Sequence, residues 1–165
     1  MSTRPLVSII IPYHKKKRYF VSTVKSISSQ TLKNFEIILI YDDIQYDEIN
    51  FVKKALLKIP RKKIIINKKI LGPGASRNKA ISKSKGKYIA FCDADDVWRR
   101  NKLELQIKYM KEKKLDFCHS SYFIINSKNK KIFDFEIKKK ISKKDLLKSC
   151  DIGLSSVIVS KKLIN

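Results

Sequence analysis

Short apolar runs alternate with segments of helical periodicity at the start of the chain. Residues 6–11 are mostly β-branched and uninterrupted, which is typical of a strand covered on both faces, and Pro12 is expected to end that strand. Apolar residues then recur at helical spacing over 18–30, and a second continuous apolar run covers 35–41. This order predicts a β-α-β unit.

The alternation continues through the middle of the chain. A helix is predicted from about residue 47 to 58, followed by a short strand over 64–66. A glycine-bearing turn at 72–78 feeds the next helix, which we expect to end at Gly86 in a left-handed cap. A buried strand over 87–92 follows directly.

The last third of the chain shows the same two periods. A helix is predicted over 98–114, and strands over 115–125 and 131–137 are expected to form a hairpin. A capping-box pattern at 142–145 predicts a short helix, and residues 154–160 predict a final strand.

Strands that alternate with helices favour a single domain over residues 1–165. The predicted class is α/β, a Rossmann-like α/β/α sandwich around a mainly parallel sheet. In such a sheet the carboxyl ends of the strands share one edge, where ligands bind. Polar clusters follow three of the predicted strands and are expected to meet at that edge: Pro12-Tyr13, Asp42-Asp43 and the tetrad Asp93-Ala94-Asp95-Asp96.

The tetrad places three carboxylates within four residues at the end of a buried strand. This concentration of negative charge is costly unless a cation joins it, and hard oxygen ligands suit Mg²⁺ or Mn²⁺, which usually bridge to nucleotide phosphates. The alternative is that Asp95 or Asp96 caps the helix that begins near Trp98. Capping explains one acidic residue and not three, so the pattern favours a metal.

Charge and cysteine content limit the other possibilities. The net charge of +23 suggests nucleic acid or an anionic membrane as a partner. The lysines are nevertheless spread along the chain, as AT-rich coding would produce, and their densest runs contain no aromatic residues for base stacking. Nucleic acid is therefore not the expected partner, whereas peripheral contact with anionic lipid stays open.

Three cysteines without a CxxC pair, and an N-terminus without the apolar stretch of a signal peptide, are typical of a reduced protein without structural zinc. We expect a cytoplasmic location, with the inner face of the membrane as a place of peripheral contact.

Four ordered motifs and their spacing resemble the donor-binding motifs of family 2 glycosyltransferases with the GT-A fold. The resemblance implies inverting transfer of a sugar from a nucleotide diphosphate sugar, with a UDP-sugar as the first candidate. The acceptor would be a saccharide or lipid-linked molecule in envelope polysaccharide assembly. The motifs are residues 7–13, 36–43, 72–78 and 93–96, and Trp98 with Lys102-Leu103 continues the likeness.

The resemblance also implies roles for the residues of the first three motifs. Pro12 and Tyr13 would lie beside the base, where the Tyr13 ring offers a stacking surface. Asp42 would accept a hydrogen bond from the base, and Asp43 would support the loop. Arg77, expected in the first turn of its helix, would face the nucleotide with a guanidinium that suits a base carbonyl or a phosphate.

Within the tetrad, Asp93 would meet the ribose or the metal, and Asp95 would ligate the metal that neutralises the leaving diphosphate. Ala94 is counted among the donor-binding residues. Asp96 would hold the loop or cap the following helix.

The general base is the point at which this chain departs from the family pattern. The family supplies an acidic residue beyond the segment that resembles 153–159, and only Asp151 is acidic among the last twenty residues here. The catalytic base is therefore unassigned. The expectation is the donor-binding part of a longer enzyme, a shortened gene product, or a silent nucleotide-binding remnant, binding a donor without useful transfer. A nucleotidyltransferase is the rival enzyme class, and would prefer a nucleoside triphosphate.

Overall fold

Eight strands and four α-helices form within the part of the chain that the computed structural model describes, residues 4–128, 130–136, 144 and 152–164. The strands are β1 Val7–Tyr13, β2 Phe35–Tyr41, β3 Lys62–Ile66, β4 Tyr88–Phe91, β5 Phe117–Cys118, β6 Tyr122–Ile125, β7 Lys131–Phe135 and β8 Ile158–Ser160. The helices are α1 Lys17–Ser28, α2 Ile49–Ala55, α3 Gly72–Lys83 and α4 Lys102–Glu112, with 3₁₀ turns at Leu154–Ser156 and Lys161–Leu163. The short helix predicted at 142–145 lies almost wholly outside the described residues.

Six of these strands form one sheet in the order β3-β2-β1-β4-β8-β5. The pairs β1–β2, β1–β4 and β2–β3 are parallel, and β8 inserts antiparallel to both β4 and β5. The predicted α/β class with a mainly parallel sheet is thereby confirmed. Strands β6 and β7 pair antiparallel as the predicted hairpin, separate from the main sheet.

Helices cover both faces of the sheet, which explains why the central strands are apolar without alternation. On one face Ile9 and Ile37 pack in a core that includes Phe20 of α1. On the other face Ile10 packs with Ala80 of α3. Both faces of β1 and β2 are thus withdrawn from water, and the sheet edge carries the polar groups.

Strand β1 runs through Pro12 to Tyr13, so the prediction that Pro12 ends the strand is wrong. Adjacent residues of a parallel strand bond to opposite neighbours. The Ile10 carbonyl accepts from Cys92 on the β4 side, and the Tyr13 carbonyl accepts from Asp42 on the β2 side. An N–H at position 12 would point toward β4. The β1–β4 ladder ends at Ile10, so the lack of an N–H in Pro12 costs no ladder hydrogen bond.

Two predicted strands are shorter than expected. The strand predicted over 154–160 is reduced to β8, which has only three residues. In the strand predicted over 115–125, only Phe117–Cys118 pairs with β8, and the chain then leaves the sheet before the hairpin. Leu154–Ser156 forms a 3₁₀ turn because the Ser156 and Val157 amides bond back to the carbonyls of Gly153 and Leu154.

Helix α4 begins at Lys102, four residues later than predicted. The Trp98 amide donates to the Ser26 hydroxyl, and its indole N–H donates to the Ser155 carbonyl, so tertiary bonds hold Trp98 outside the helix. Asp95 and Asp96 lie too far from Lys102 to cap α4, and the capping alternative for the tetrad is wrong.

Among the described residues, no helix is both long enough and apolar enough to cross a bilayer. Cys92 and Cys118 are buried free thiols. Cys150 lies outside the described residues.

Gly86 is required for close packing rather than for a left-handed cap. Helix α3 ends at Lys83, and the positive backbone φ in this region belongs to Gly72 at the start of the helix, not to Gly86. A Cβ at Gly86 would lie 2.5 Å from the Ser8 nitrogen and 2.8 Å from the Val7 carbonyl carbon. These are backbone atoms of β1 and cannot move aside.

Gly86→Ala is therefore expected to destabilise the fold by about 1–3 kcal/mol, as overpacking against a rigid strand does. Gly74→Ala is the matched control, because a Cβ there meets no atom within 4 Å and alanine favours a helix. Urea unfolding of both variants measures the difference. Equal stability of the two variants would contradict the close-packing role.

Candidate functional site

The loops after β1, β2 and β4 meet at the carboxyl edge of the sheet, as the sequence predicted. The chain passes from β1 to β2 on one side and returns to β4 on the other, so the strand order reverses at β1, where sheets of this kind bind ligands. His14, after β1, donates from Nδ1 to the Asp42 carbonyl at 2.6 Å. Lys16, also after β1, reaches Asp95 in the tetrad.

Asp42 clamps the turn that begins helix α3. Its Oδ1 accepts from the Leu71 amide at 2.9 Å and its Oδ2 accepts from the Gly72 amide at 2.8 Å. Burial acts to raise the pKa of Asp42, but hydrogen bonds from Asn67, Leu71, Gly72 and Ser76 outweigh burial and lower it. The Asp42 carboxylate is thus engaged with protein donors.

Asn67 extends this clamp. It follows β3 directly and donates from Nδ2 to Asp42 at 2.7 Å and to the Ser76 hydroxyl at 3.1 Å. Its Oδ1 accepts from Lys79 at 2.6 Å. One buried amide therefore ties β2, β3 and two turns of α3 together.

Asp43 is as buried as Asp42 but has a local partner, since its Oδ1 accepts from the Gln45 amide at 3.1 Å. This is a turn within the loop after β2. Asp43 therefore stabilises its own loop, whereas Asp42 binds residues that are distant in the sequence.

Arg77 pairs with Asp93 across the site, with Nη2 2.5 Å from Oδ1. The arginine is the sixth residue of α3 and so lies in its second turn, not in the first turn as predicted. Its side chain is 18% exposed, and its Nε is buried without a partner among the described protein atoms. The guanidinium is thus held at the tetrad, and one of its N–H donors, Nε, has no hydrogen-bond acceptor there in the part of the chain that the structure describes.

The remaining tetrad residues have distinct environments. Asp95 accepts from Lys16 Nζ at 2.7 Å, and Asp96 is exposed. The Ala94 side chain is buried and its carbonyl accepts from the Thr23 hydroxyl at 3.0 Å. Ala94 thereby anchors the tetrad to α1, and its contact with the donor stays a prediction.

Ser155 holds the tetrad from the other side. Its hydroxyl accepts from the Asp93 amide at 2.9 Å and bonds to the Asp96 carboxylate, and its carbonyl receives the Trp98 indole N–H. The chain before β8 therefore fixes the shape of the acidic loop.

Lys102 lies beside this segment of the site. Its ammonium is 4.4 Å from the centre of the Trp98 ring, and burial lowers the pKa of Lys102 to about 8.

Tyr13 is fully buried, so the prediction that its ring offers a stacking surface is wrong. The ring stacks on Tyr41 at 5.6 Å and meets Phe20 edge-on at 4.9 Å, while its hydroxyl donates to Glu48. Pro12, next to it, remains partly exposed at the edge. Apolar packing beneath the site decides the orientation of the tyrosine.

A cleft of about 1240 Å³ opens beside the tetrad, between α4 and the β6–β7 hairpin. Asp93, Asp95 and Asp96 contribute to one wall, and Tyr122 and Phe123 contribute to another. The cleft gives the tetrad access to a second molecule larger than a metal ion.

The carboxylates of the tetrad are compatible in chemistry with a metal that brings phosphate ligands of its own. No group of three possible metal-binding side chains gathers in the described part of the chain. Mg²⁺, however, is usually held by one or two carboxylates together with substrate phosphates. Asp93 and Asp95 can supply such a pair once Arg77 and Lys16 release them.

The site also contains three residues that were not predicted from the sequence: Lys16, Asn67 and Ser155. Asn67 could have been found, because it follows a strand in the same way as Asp42 and Asp93. In the sequence Lys16 is only the middle residue of three consecutive lysines, and Ser155 is only part of a predicted strand. Their partners are 79 and 62 residues away, and no local pattern indicates such contacts.

Comparisons with known proteins identify the family and the fold. The sequence model described as Glycosyl transferase family 2 matches residues 8–164. The chain is 36% identical over 160 residues to the Escherichia coli UDP-Glc:alpha-D-GlcNAc-diphosphoundecaprenol beta-1,3-glucosyltransferase WfgD, covering 97% of this chain and 62% of that protein. It is 29% identical over 161 residues to the putative teichuronic acid biosynthesis glycosyltransferase TuaG of Bacillus subtilis, covering 96% and 64%. The chain thus spans slightly less than two thirds of these relatives.

Solved structures share the fold. The crystal structure of S. aureus TarS 1–349 has a TM-score of 0.73 at 18% identity, covering 96% of this chain and 48% of that one. The mannosyltransferase PcManGT from Pyrobaculum calidifontis, in complex with GDP-Man and Mn²⁺, has a TM-score of 0.65 at 16% identity, covering 76% and 37%. The chain therefore has the GT-A fold.

The Asp42 clamp generates a prediction about stability. Asp42→Asn is expected to cost roughly 1–3 kcal/mol at pH 7, because amide donors lose their charged acceptor. The folded pKa of Asp42 lies below its ordinary value of 3.8, so its contribution is present above that pH and is lost as pH falls through the folded pKa. Urea unfolding should therefore show the difference between wild type and variant shrinking below about pH 4.

Asp43→Asn is the control, because asparagine keeps an acceptor for the single local bond at a site of equal burial. Its loss of stability should be smaller. Equal losses for the two variants at pH 7 would show that the α3 clamp adds nothing.

Proposed function

Because the chain belongs to glycosyltransferase family 2, we propose that it binds a nucleotide diphosphate sugar at the edge formed by β1, β2 and β4. In this proposal the sugar passes, with inversion, to a saccharide or lipid-linked acceptor. The observation that carries the proposal is the contact of Arg77 with Asp93, which brings a conformationally constrained guanidinium to the acidic tetrad. Cationic and acidic groups then lie together where a diphosphate and its metal need both.

The donor is proposed to lie across the carboxyl ends of β1 and β4, where the strand order reverses. The base would rest beside Pro12 and the backbone of Tyr13, near the loop held by Asp42 and Asp43. The diphosphate would lie between Arg77 and the tetrad, with Asp93 at the ribose or metal and Asp95 at the metal. Mg²⁺ or Mn²⁺, when bound, would neutralise charge on the leaving diphosphate.

The protein's own contribution to the reaction is electrostatic and positional. The Arg77 side chain is largely buried, so its guanidinium needs little rearrangement to pass from Asp93 to a phosphate. Ser155 and Thr23 hold the tetrad backbone from two directions and so fix where the carboxylates point. The acceptor hydroxyl also needs a base, and we assign that role to no residue.

The names of relatives and neighbours support the classes of donor and acceptor. WfgD is named as using UDP-Glc and a diphosphoundecaprenol-linked acceptor, and TarS has been solved with UDP-GlcNAc. A UDP-sugar and a lipid-linked saccharide are therefore the proposed substrates, with the cleft between α4 and the hairpin as the place for the acceptor. The net charge of +23 supports peripheral contact with an anionic membrane, where such an acceptor would lie.

The first prediction from this proposal concerns donor and metal together. UDP should bind more tightly with Mn²⁺ than without it, and Asp95→Ala should remove that enhancement. We expect a loss of at least about tenfold in affinity with Mn²⁺, since even indirect partners of a metal typically contribute 10–100-fold. Isothermal titration calorimetry with and without Mn²⁺ measures this effect.

Asp116→Ala is the matched control, because Asp116 has similar exposure and a lysine partner but precedes β5 at the opposite sheet edge. Its affinity for UDP should stay at the wild-type value. A metal enhancement that persists in Asp95→Ala would remove Asp95 from the site, and tighter binding of UTP than of UDP-sugars would favour a nucleotidyltransferase.

The second prediction concerns Arg77. Arg77→Lys keeps the charge but loses the planar fork, so UDP affinity should fall by roughly 1–3 kcal/mol. Calorimetry on the variant, with circular dichroism to verify its fold, measures the change. If the lysine variant binds UDP as tightly as the wild type, Arg77 serves only the salt bridge with Asp93.

A further inference from the structure

Lys16 places an ammonium group on the tetrad from a different element. Its Nζ lies 2.7 Å from Asp95 Oδ2, across 79 residues of sequence. Lysines on either side have other partners: Lys15 donates to Gln45, and Lys17 lies over the Phe51 ring. Only the middle member of this basic run is directed at the acidic loop.

The position of Lys16 is fixed by buried contacts rather than by chance on the surface. Helix α1, which begins immediately after Lys16, is bonded to the tetrad loop at two points. Thr23 donates to the Ala94 carbonyl, and the Ser26 hydroxyl accepts from the Trp98 amide. These bonds set how α1 lies against the loop, so the Lys16 ammonium is held within reach of Asp95.

Local preferences oppose a lysine at this position. Lys16 is the N-cap residue of α1, where Ser, Thr, Asp or Asn stabilise a helix and where the helix dipole disfavours a cation. No acidic residue occupies the first turn to compensate. Lys15 before it has a backbone φ of +48°, a conformation that a lysine adopts only at some cost. A residue that breaks local rules in this way is typical of a functional position.

We propose that Lys16 is an exchangeable counter-ion of Asp95, which neutralises this carboxylate without metal and is displaced when a divalent cation binds. The inference rests on the metal site of the proposed function. Both partners are partly exposed, at 45% and 35%, so the pair is weak enough to yield to a divalent ion. The released ammonium stays beside the site, where it can meet the phosphate oxygens of the donor.

The consequence is that removing Lys16 should tighten metal binding, the opposite of what loss of a ligand does. Mn²⁺ is titrated in the absence of nucleotide, with free Mn²⁺ measured by electron paramagnetic resonance at low ionic strength. Lys16→Met should bind Mn²⁺ about two- to tenfold more tightly than wild type, because a competing cation and its repulsion are both removed. Lys16→Arg should remain close to wild type.

Lys17→Met is the matched control, because it removes the same charge one residue away without touching Asp95. Equal Mn²⁺ affinity of Lys16→Met and Lys17→Met, with binding still lost in Asp95→Ala, would overturn the counter-ion role and leave the metal site standing. Mn²⁺ binding that is undetectable in every variant would overturn the counter-ion role, and binding that is unaffected by Asp95→Ala would overturn both. The inference is supported if Lys16→Met binds Mn²⁺ more tightly than wild type and if this gain in affinity disappears in the double variant that also carries Asp95→Ala.

Discussion

Carboxylates that end buried parallel strands must find compensating donors or cations, and the whole edge of this sheet is organised by that requirement. The strands β1, β2 and β4 are covered on both faces, so they can expose polar groups only where they end. Their acidic residues therefore collect in one place. Every loop nearby is held by a bond to one of these acids or to the backbone around them.

Two kinds of compensation occur at this edge, and they have different consequences. Asp42 is satisfied by backbone amides and a neutral side chain, which hold the start of α3 in one arrangement. Asp93 and Asp95 are paired instead with the cations Arg77 and Lys16. In the proposed function these cations are exchanged for a metal or shared with a phosphate. The Asp42 clamp therefore gives shape, whereas the pairs of the tetrad remain available for chemistry.

The segment before β8 shows how a distant part of the chain completes the site. Ser155 meets Asp93, Asp96 and Trp98, although it is about sixty residues away in sequence. Because β8 pairs antiparallel with β4, this segment is brought back beside the carboxyl end of β4. The acidic loop is thus enclosed by α1 on one side and by the Ser155 turn on the other.

The sequence by itself determined the fold class and the location of the site. Continuous apolar runs can be buried only between helices, and acidic residues directly after them can lie only at the carboxyl edge. It also predicted the hairpin and the succession of strands and helices along the chain, but not the order of the strands in the sheet. These features depend on periodicity and on the polarity of single residues, which a sequence displays directly.

Only the tertiary structure decided which partner each side chain has. Tyr13 is buried because Phe20 and Tyr41 pack against its ring. Pro12 continues its strand because the β1–β4 ladder ends at Ile10, two residues before it. Trp98 stays outside α4 because Ser26 and Ser155 hold it. Each outcome depends on a residue brought close by packing of the sheet and its helices, and contact energies of this kind override local preference without leaving a local pattern.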